Sequence, residues 1–173
     1  MRLPALIHLI EAVRVLTQCE TVTVLGSAAL LATDAALGEP DGPLEVTRDA
    51  DLLVSPVDEQ LAAVVHEGLG QGSLFDRRNG YHVDLMRPEI VESLPRGWQT
   101  RLVAIRGALA LAVADVAAVK LYVAREKDIA LVGALLRAGL ADPADVLGLL
   151  LTMGRTERET RAAVRRLHVL RGA

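Results

Sequence analysis

Apolar positions recur at helical spacing near the start of the chain, at Leu6, Ile7, Ile10, Val13 and Leu16, with Pro4 where a first helical turn tolerates it. This predicts a surface helix over residues 3 to 19. Val22 to Leu25 is a short β-prone run that meets Gly26-Ser27 and then an alanine-rich helical stretch to about Ala36. Leu37 to Leu44 holds Gly-Glu-Pro-Asp-Gly-Pro and reads as loop. A second strand is expected over residues 49 to 54. Leu61, Val64 and Val65 then give helical periodicity from Val57 to Glu67, ending near Gly68.

Ser73 to Arg78 and Tyr81 to Met86 flank Asn79-Gly80, the dipeptide best suited to a two-residue turn with positive φ at both central positions. A β-hairpin is predicted there, with His82, Asp84 and Met86 on one face of its second arm and Val83 and Leu85 on the other. The alternation Gly68, Gly70, Gly72 before Ser73 reads as a flexible connection, because no helix is expected to open after it. Pro88, Pro95 and Gly97 mark an irregular link to a strand over Arg101 to Ile105.

The remainder reads as helix: Ala114 to about Glu126, Asp128 to Leu140, Pro143 to Met153 behind an Asp142 cap, and Thr156 to Leu170 behind a Thr156/Glu159 capping box. The expected fold is α+β. A small mixed β-sheet flanked by helices occupies residues 1–113, and an all-helical part, residues 114–173, is expected to pack on it as one compact unit.

Composition narrows the class. At 173 residues there is room for one well-buried core with a helical appendage. Aromatics are confined to Phe75, Tyr81, Trp98 and Tyr122, so the core must be built from Leu, Val and Ala. The net charge of −3 gives no global attraction to nucleic acid or anionic membrane. Cys19 stands alone, which excludes an internal disulfide and fits a reducing cytoplasm, with a small buried residue as its simplest role. His8, Glu11 and Arg14 interrupt the N-terminal apolar stretch, so no signal peptide is expected, and no run reaches the roughly 18 apolar residues of a membrane span. A cytoplasmic protein without membrane contact is the expectation.

The candidate chemistry begins with Asp49-Ala50-Asp51. On a strand these two carboxylates point to one side, roughly 6 to 7 Å apart along the backbone, a spacing suited to bracketing divalent metal. The competing role is a solvated strand entrance. Asp84, on the second arm of the expected hairpin, is placed to reach the pair. His82 beside it either orients a ligand or is a hydrogen-bonded structural histidine. Gly26-Ser27, at a strand-to-helix turn, suits close approach of a phosphate to backbone N–H groups, and equally suits a plain turn with Ser27 as cap. Lys120 lies in an otherwise apolar helix and can serve triphosphate oxygens. Asp128 shares its face if that helix is continuous, and the alternative is a helix end laced with ion pairs. Arg158, Arg161 and Arg165 form a stripe that suits phosphates, but Glu157 and Glu159 interleave it and favour a solvated face.

The ordered set of Gly26-Ser27, Asp49-Ala50-Asp51, Gly70 to Phe75, Tyr81 to Asp84, Leu94-Pro95-Arg96-Gly97-Trp98 with Arg101-Leu102, and Lys120 through Arg125-Glu126-Lys127-Asp128 to Gly139-Leu140 resembles bacterial nucleotidyltransferase-fold proteins. The nearest group is an incompletely characterised family distantly related to AbiEii and MenT type toxins, and the likeness covers residues 22 to 147. The resemblance implies Mg²⁺ or Mn²⁺ held by Asp49, Asp51 and Asp84, the catalytic carboxylates. It also implies an NTP whose phosphates meet Gly26 and Ser27, with Lys120 on the triphosphate and Asp128 as an additional contact. The implied reaction moves an NMP from the NTP to a hydroxyl on RNA (tRNA included), protein or a small molecule, in a toxin with an antitoxin partner. The alternative is a nucleotide- or metal-binding regulatory module without turnover, acting through a partner. The connection from Gly-Ser to Asp-x-Asp is longer than in many nucleotidyltransferases, and Asp49 stands where the nearest family often has Glu.

Overall fold

The computed structural model describes residues 1–172. The chain divides into two compact units, Met1–Pro88 with Leu102–Leu111, and Glu89–Arg101 with Ala112–Ala173. The class is mixed α+β: a five-stranded mixed sheet with flanking helices, and a helical C-terminal part.

In the first unit, helix α1 (Leu3–Thr17) buries Leu6, Leu9, Ile10 and Val13 along one stripe, each such side chain contributing about 1.5–3 kcal/mol. Strand β1 (Thr21–Val24) leads through Gly26 into two short 3-10 helices, Ser27–Ala32 and Ala35–Gly38, where one longer helix was expected. The break has a local cause: the Asp34 carboxylate accepts the Ala36 N–H at 2.9 Å and starts a new turn. Strand β2 (Asp49–Ser55) alternates cleanly, with Ala50, Leu52 and Val54 buried and Asp49, Asp51 and Leu53 on the half-exposed face. Helix α2 (Glu59–Leu69) is capped by Asp58, whose carboxylate accepts the Leu61 N–H at 2.7 Å.

The hairpin predicted around Asn79-Gly80 does not form. Its first arm is helix α3 (Leu74–Asn79), opened by the Ser73 hydroxyl accepting the Asp76 N–H at 3.1 Å. Gly80 ends that helix in the left-handed region, at φ 76°, and its N–H donates to Asp76 O at 2.7 Å. Of the two positive φ values expected, only that of Gly80 is present, and it serves a helix C-terminus; Asn79 stays helical. A helix also opens after the glycine alternation at 68, 70 and 72, contrary to expectation. Strand β3 (His82–Leu85) then pairs with β2 in parallel, which needs a crossover, and α2 with α3 supply it.

Strand β4 (Val103–Ile105) matches expectation closely, while β5 (Ala108–Ala110) was not foreseen. The sheet order is β3-β2-β1-β5-β4, with β1 antiparallel to β2 and parallel to β5. An Ala-Leu-Ala segment has little strand propensity of its own. It becomes a strand because β1 and β4 flank it on both edges.

The second unit holds α4 (Val113–Val123), α5 (Glu126–Arg137), α6 (Pro143–Thr152) and α7 (Glu157–Arg171). Helix α4 packs against the other three and is buried nearly all round, as its lack of a polar face requires. The expected caps at α6 and α7 are present: Asp142 accepts the Ala144 N–H, and Thr156 with Glu159 forms a reciprocal capping box. No helix among the described residues is long and apolar enough to cross a membrane.

Candidate metal centre

The parallel β2–β3 register puts Asp49 opposite His82 and Asp51 opposite Asp84. Residues paired this way share a face, so the ladder itself gathers Asp49, Asp51, Asp84 and His82 on one side of the sheet. One carboxylate oxygen from each of the three aspartates lies within 4.8 Å of the others, and all three residues are half-buried. Oxygens bound to one small divalent ion sit roughly 3 to 4 Å apart at ligand distances of about 2.1 Å, so modest side-chain rotation suffices. Three hard anionic oxygens with no thiolate suit Mg²⁺, Mn²⁺ or Ca²⁺. Three like charges this close repel one another, and a cation among them would relieve that repulsion. These residues could therefore hold a metal ion.

Gly26 is built into the same corner. The Leu25 N–H donates to Asp51 O at 2.7 Å, carrying the β1–β2 ladder one residue beyond β1 and setting Gly26 against Asp51. Gly26 sits at φ 58° and ψ −155°, and a Cβ placed there would collide with Asp51 Oδ2. Only glycine satisfies both conditions without strain. Ser27 follows as the first residue of the 3-10 helix and is not its cap, so the capping role weighed for it is not the one it has. The helix behind it has only six residues, so little macrodipole is available there. What this turn offers a phosphate is close backbone approach and a hydroxyl.

His82 is buried at 8% exposure and bridges two carboxylates. Its Nδ1 is 3.2 Å from Asp76 Oδ1, and its Nε2 is 4.0 Å from Asp84 Oδ1. Asp76 is fixed independently, its Oδ2 accepting the Gly72 N–H at 2.8 Å. That backbone hydrogen bond, with the contact to His82, holds the Asp76 carboxyl below the usual carboxylate range. Asp76 lies in the segment expected as the first arm of the hairpin, where a strand would give it no such role. The signal was there: Ser73 followed three residues later by Asp76 is a helix-opening pattern.

Lys120 and Asp128 belong to the helical unit. Ala124 adopts a left-handed conformation at φ 57° and breaks the helix between them, so they do not lie two turns apart on one face. The turn folds them together instead, with Lys120 Nζ 3.0 Å from Asp128 Oδ1 and both side chains buried. The Arg125 Nε donates to Asp128 Oδ2 at 2.7 Å. Burial pushes the Asp128 carboxyl up, and the hydrogen bonds from Arg125 and Lys120 more than offset this, leaving it below the ordinary range. Arg101, singled out only as part of a motif, makes a bidentate pair with the fully buried Asp115 at 2.9 and 2.6 Å, which raises the guanidinium pKa. That contact gives the Gly97-Trp98 to Arg101 segment a structural purpose.

Comparison of the chain with protein-family models, with curated proteins and with solved structures gives no match.

Proposed function

We propose that the protein is a metal-dependent nucleotidyltransferase that moves an NMP from an NTP to an acceptor hydroxyl. The observation that carries this reading is the convergence of Asp49, Asp51 and Asp84 beside the Gly26-Ser27 turn. A divalent ion in that set would act as a Lewis acid on the phosphates and offset charge that grows on them during transfer. Gly26, lacking a side chain, lets triphosphate oxygens approach the backbone, and the Ser27 hydroxyl donates to one of them. Asp49 and Asp51 would hold that ion beside the α-phosphate. Asp84 takes the proton of the acceptor hydroxyl as the new bond from acceptor oxygen to phosphorus forms and the bond to pyrophosphate breaks.

The resemblance described above supports this chemistry and extends it to RNA, tRNA among it, protein or a small molecule as acceptor, and to an antitoxin partner. One observation favours a second reading, a nucleotide- and metal-binding module without turnover: the ion pair of Lys120 with Asp128 engages the lysine expected on the triphosphate. The test for the first reading uses the full chain with Mg²⁺ or Mn²⁺, each α-labelled NTP, and total RNA or cell protein. It expects a labelled acceptor and released pyrophosphate. Binding of NTP and metal without either product would support the second reading.

A further inference from the structure

We infer that His82 is a nitrogen ligand of the proposed metal centre, delivered through Nε2 and oriented by Asp76. The inference rests on the metal-site reading of Asp49, Asp51 and Asp84 and adds a donor of a different chemical kind. Three observations support it. His82 is 8% exposed and pairs in register with Asp49, so it stands on the carboxylate face by construction of the sheet. The Asp76 carboxylate, pinned by the Gly72 N–H at 2.8 Å, accepts from His82 Nδ1 at 3.2 Å. A carboxylate at Nδ1 fixes the proton there and leaves the Nε2 lone pair free. That nitrogen makes no hydrogen bond among the described residues and lies 4.0 Å from Asp84 Oδ1. It is not among the ligand atoms that lie within 4.8 Å of one another, so it would close on the ion by side-chain rotation.

A histidine that ligates through one nitrogen while the other donates to a carboxylate is the usual construction around protein-bound metals, because it fixes the tautomer and raises the basicity of the ligating atom. An imidazole also changes which ion the site prefers. Nitrogen ligands strengthen binding of Mn²⁺ and later transition ions far more than of Mg²⁺. The consequence is a site that discriminates in favour of Mn²⁺, which three carboxylates alone would do weakly.

The experiment is pulsed EPR of Mn²⁺ bound to the full chain, with Mn²⁺ and Mg²⁺ affinities measured by calorimetry in parallel. The expected result is ¹⁴N hyperfine coupling from a directly bound imidazole in the unsubstituted protein. His82→Gln should abolish that coupling and weaken Mn²⁺ binding by at least the roughly ten- to hundredfold that loss of an outer-shell partner costs, with a much smaller change for Mg²⁺. Asp76→Asn, which leaves the imidazole in place, should weaken Mn²⁺ binding in the same direction but less. Mn²⁺ bound without nitrogen coupling in the unsubstituted protein overturns the inference while the carboxylate site stands. That outcome would leave His82 a neighbour of Asp84 and not a ligand. Failure of the chain to bind either ion, or Mn²⁺ binding unchanged by Asp51→Asn, overturns the metal-site reading and this inference with it.

Discussion

Asp51 and Asp84 are direct partners across the parallel β2–β3 ladder, although 33 positions (84 − 51) separate them in the chain. Their approach is a property of strand register, so it survives changes to either side chain. Asp51→Asn removes one of three crowded negative charges and should leave the fold intact. Thermal melting without metal should show a cooperative transition in the variant as in the unsubstituted protein. With saturating Mn²⁺ the unsubstituted protein should gain about 2.7 kcal/mol at a hundred times the dissociation constant, and the variant should gain little. Equal metal-induced shifts in the two proteins would remove Asp51 from the site.

Gly26→Ala should act on that same residue from the turn after β1. Its cost has two parts: a left-handed backbone conformation that a Cβ disfavours by about 1–3 kcal/mol, and displacement of the Asp51 carboxylate. Denaturant melts should show the first, and a weakened Mn²⁺ affinity the second. Full affinity at reduced stability would mean that Asp51 can yield without leaving the cluster.

The buried pair of Lys120 and Asp128, with the exposed Arg125 beside it, makes a separate prediction about stability. Asp128→Asn leaves the Lys120 ammonium buried without its counter-charge and should cost about 3–5 kcal/mol. Lys120→Met should cost less, because Arg125 still pairs with Asp128, and the double variant should fall well short of the sum of the two. Unfolding by urea measures all three, and strict additivity would contradict the coupling.

Acid should expose the same trio. The Asp128 carboxyl lies below its ordinary range in the folded chain, so its contribution is complete above the unfolded-state carboxylate pKa of about 3.9 and is lost as pH falls through the lower folded value. Stability measured from neutral pH downward should decline less steeply in Asp128→Asn than in the unsubstituted protein over that acidic window. Parallel declines would assign the acid sensitivity to other groups.

How much of this was legible in the sequence follows from the range of the forces involved. Helices with strong periodicity, such as α1, or with clear caps, such as α6 and α7, are set by contacts within a few residues, and the amino-acid pattern displays them directly. The face shared by Asp49 and Asp51 follows from strand alternation alone. Asp84 was assigned to the correct strand face for an incorrect reason, since the hairpin that was to carry it is a helix followed by a parallel strand. Gly80 takes a positive φ in either structure, and only the distant partner strand decides between them. For the same reason β5 and the Asp76–His82 contact were invisible: both exist through partners that local pattern does not contain. The ion pair of Lys120 with Asp128 depended on a single residue, Ala124, taking a conformation that alanine seldom adopts.

The central claim is that Asp49, Asp51 and Asp84 hold the metal that brings NTP phosphates to the Gly26-Ser27 turn. A crystal structure of the full chain with Mg²⁺ and a non-hydrolysable NTP tests it most directly. The account predicts density for an ion within about 2.0–2.2 Å of oxygens from these three aspartates, with triphosphate oxygens against Gly26 and Ser27. A nucleotide bound elsewhere, or bound with no ion among the three carboxylates, would contradict it.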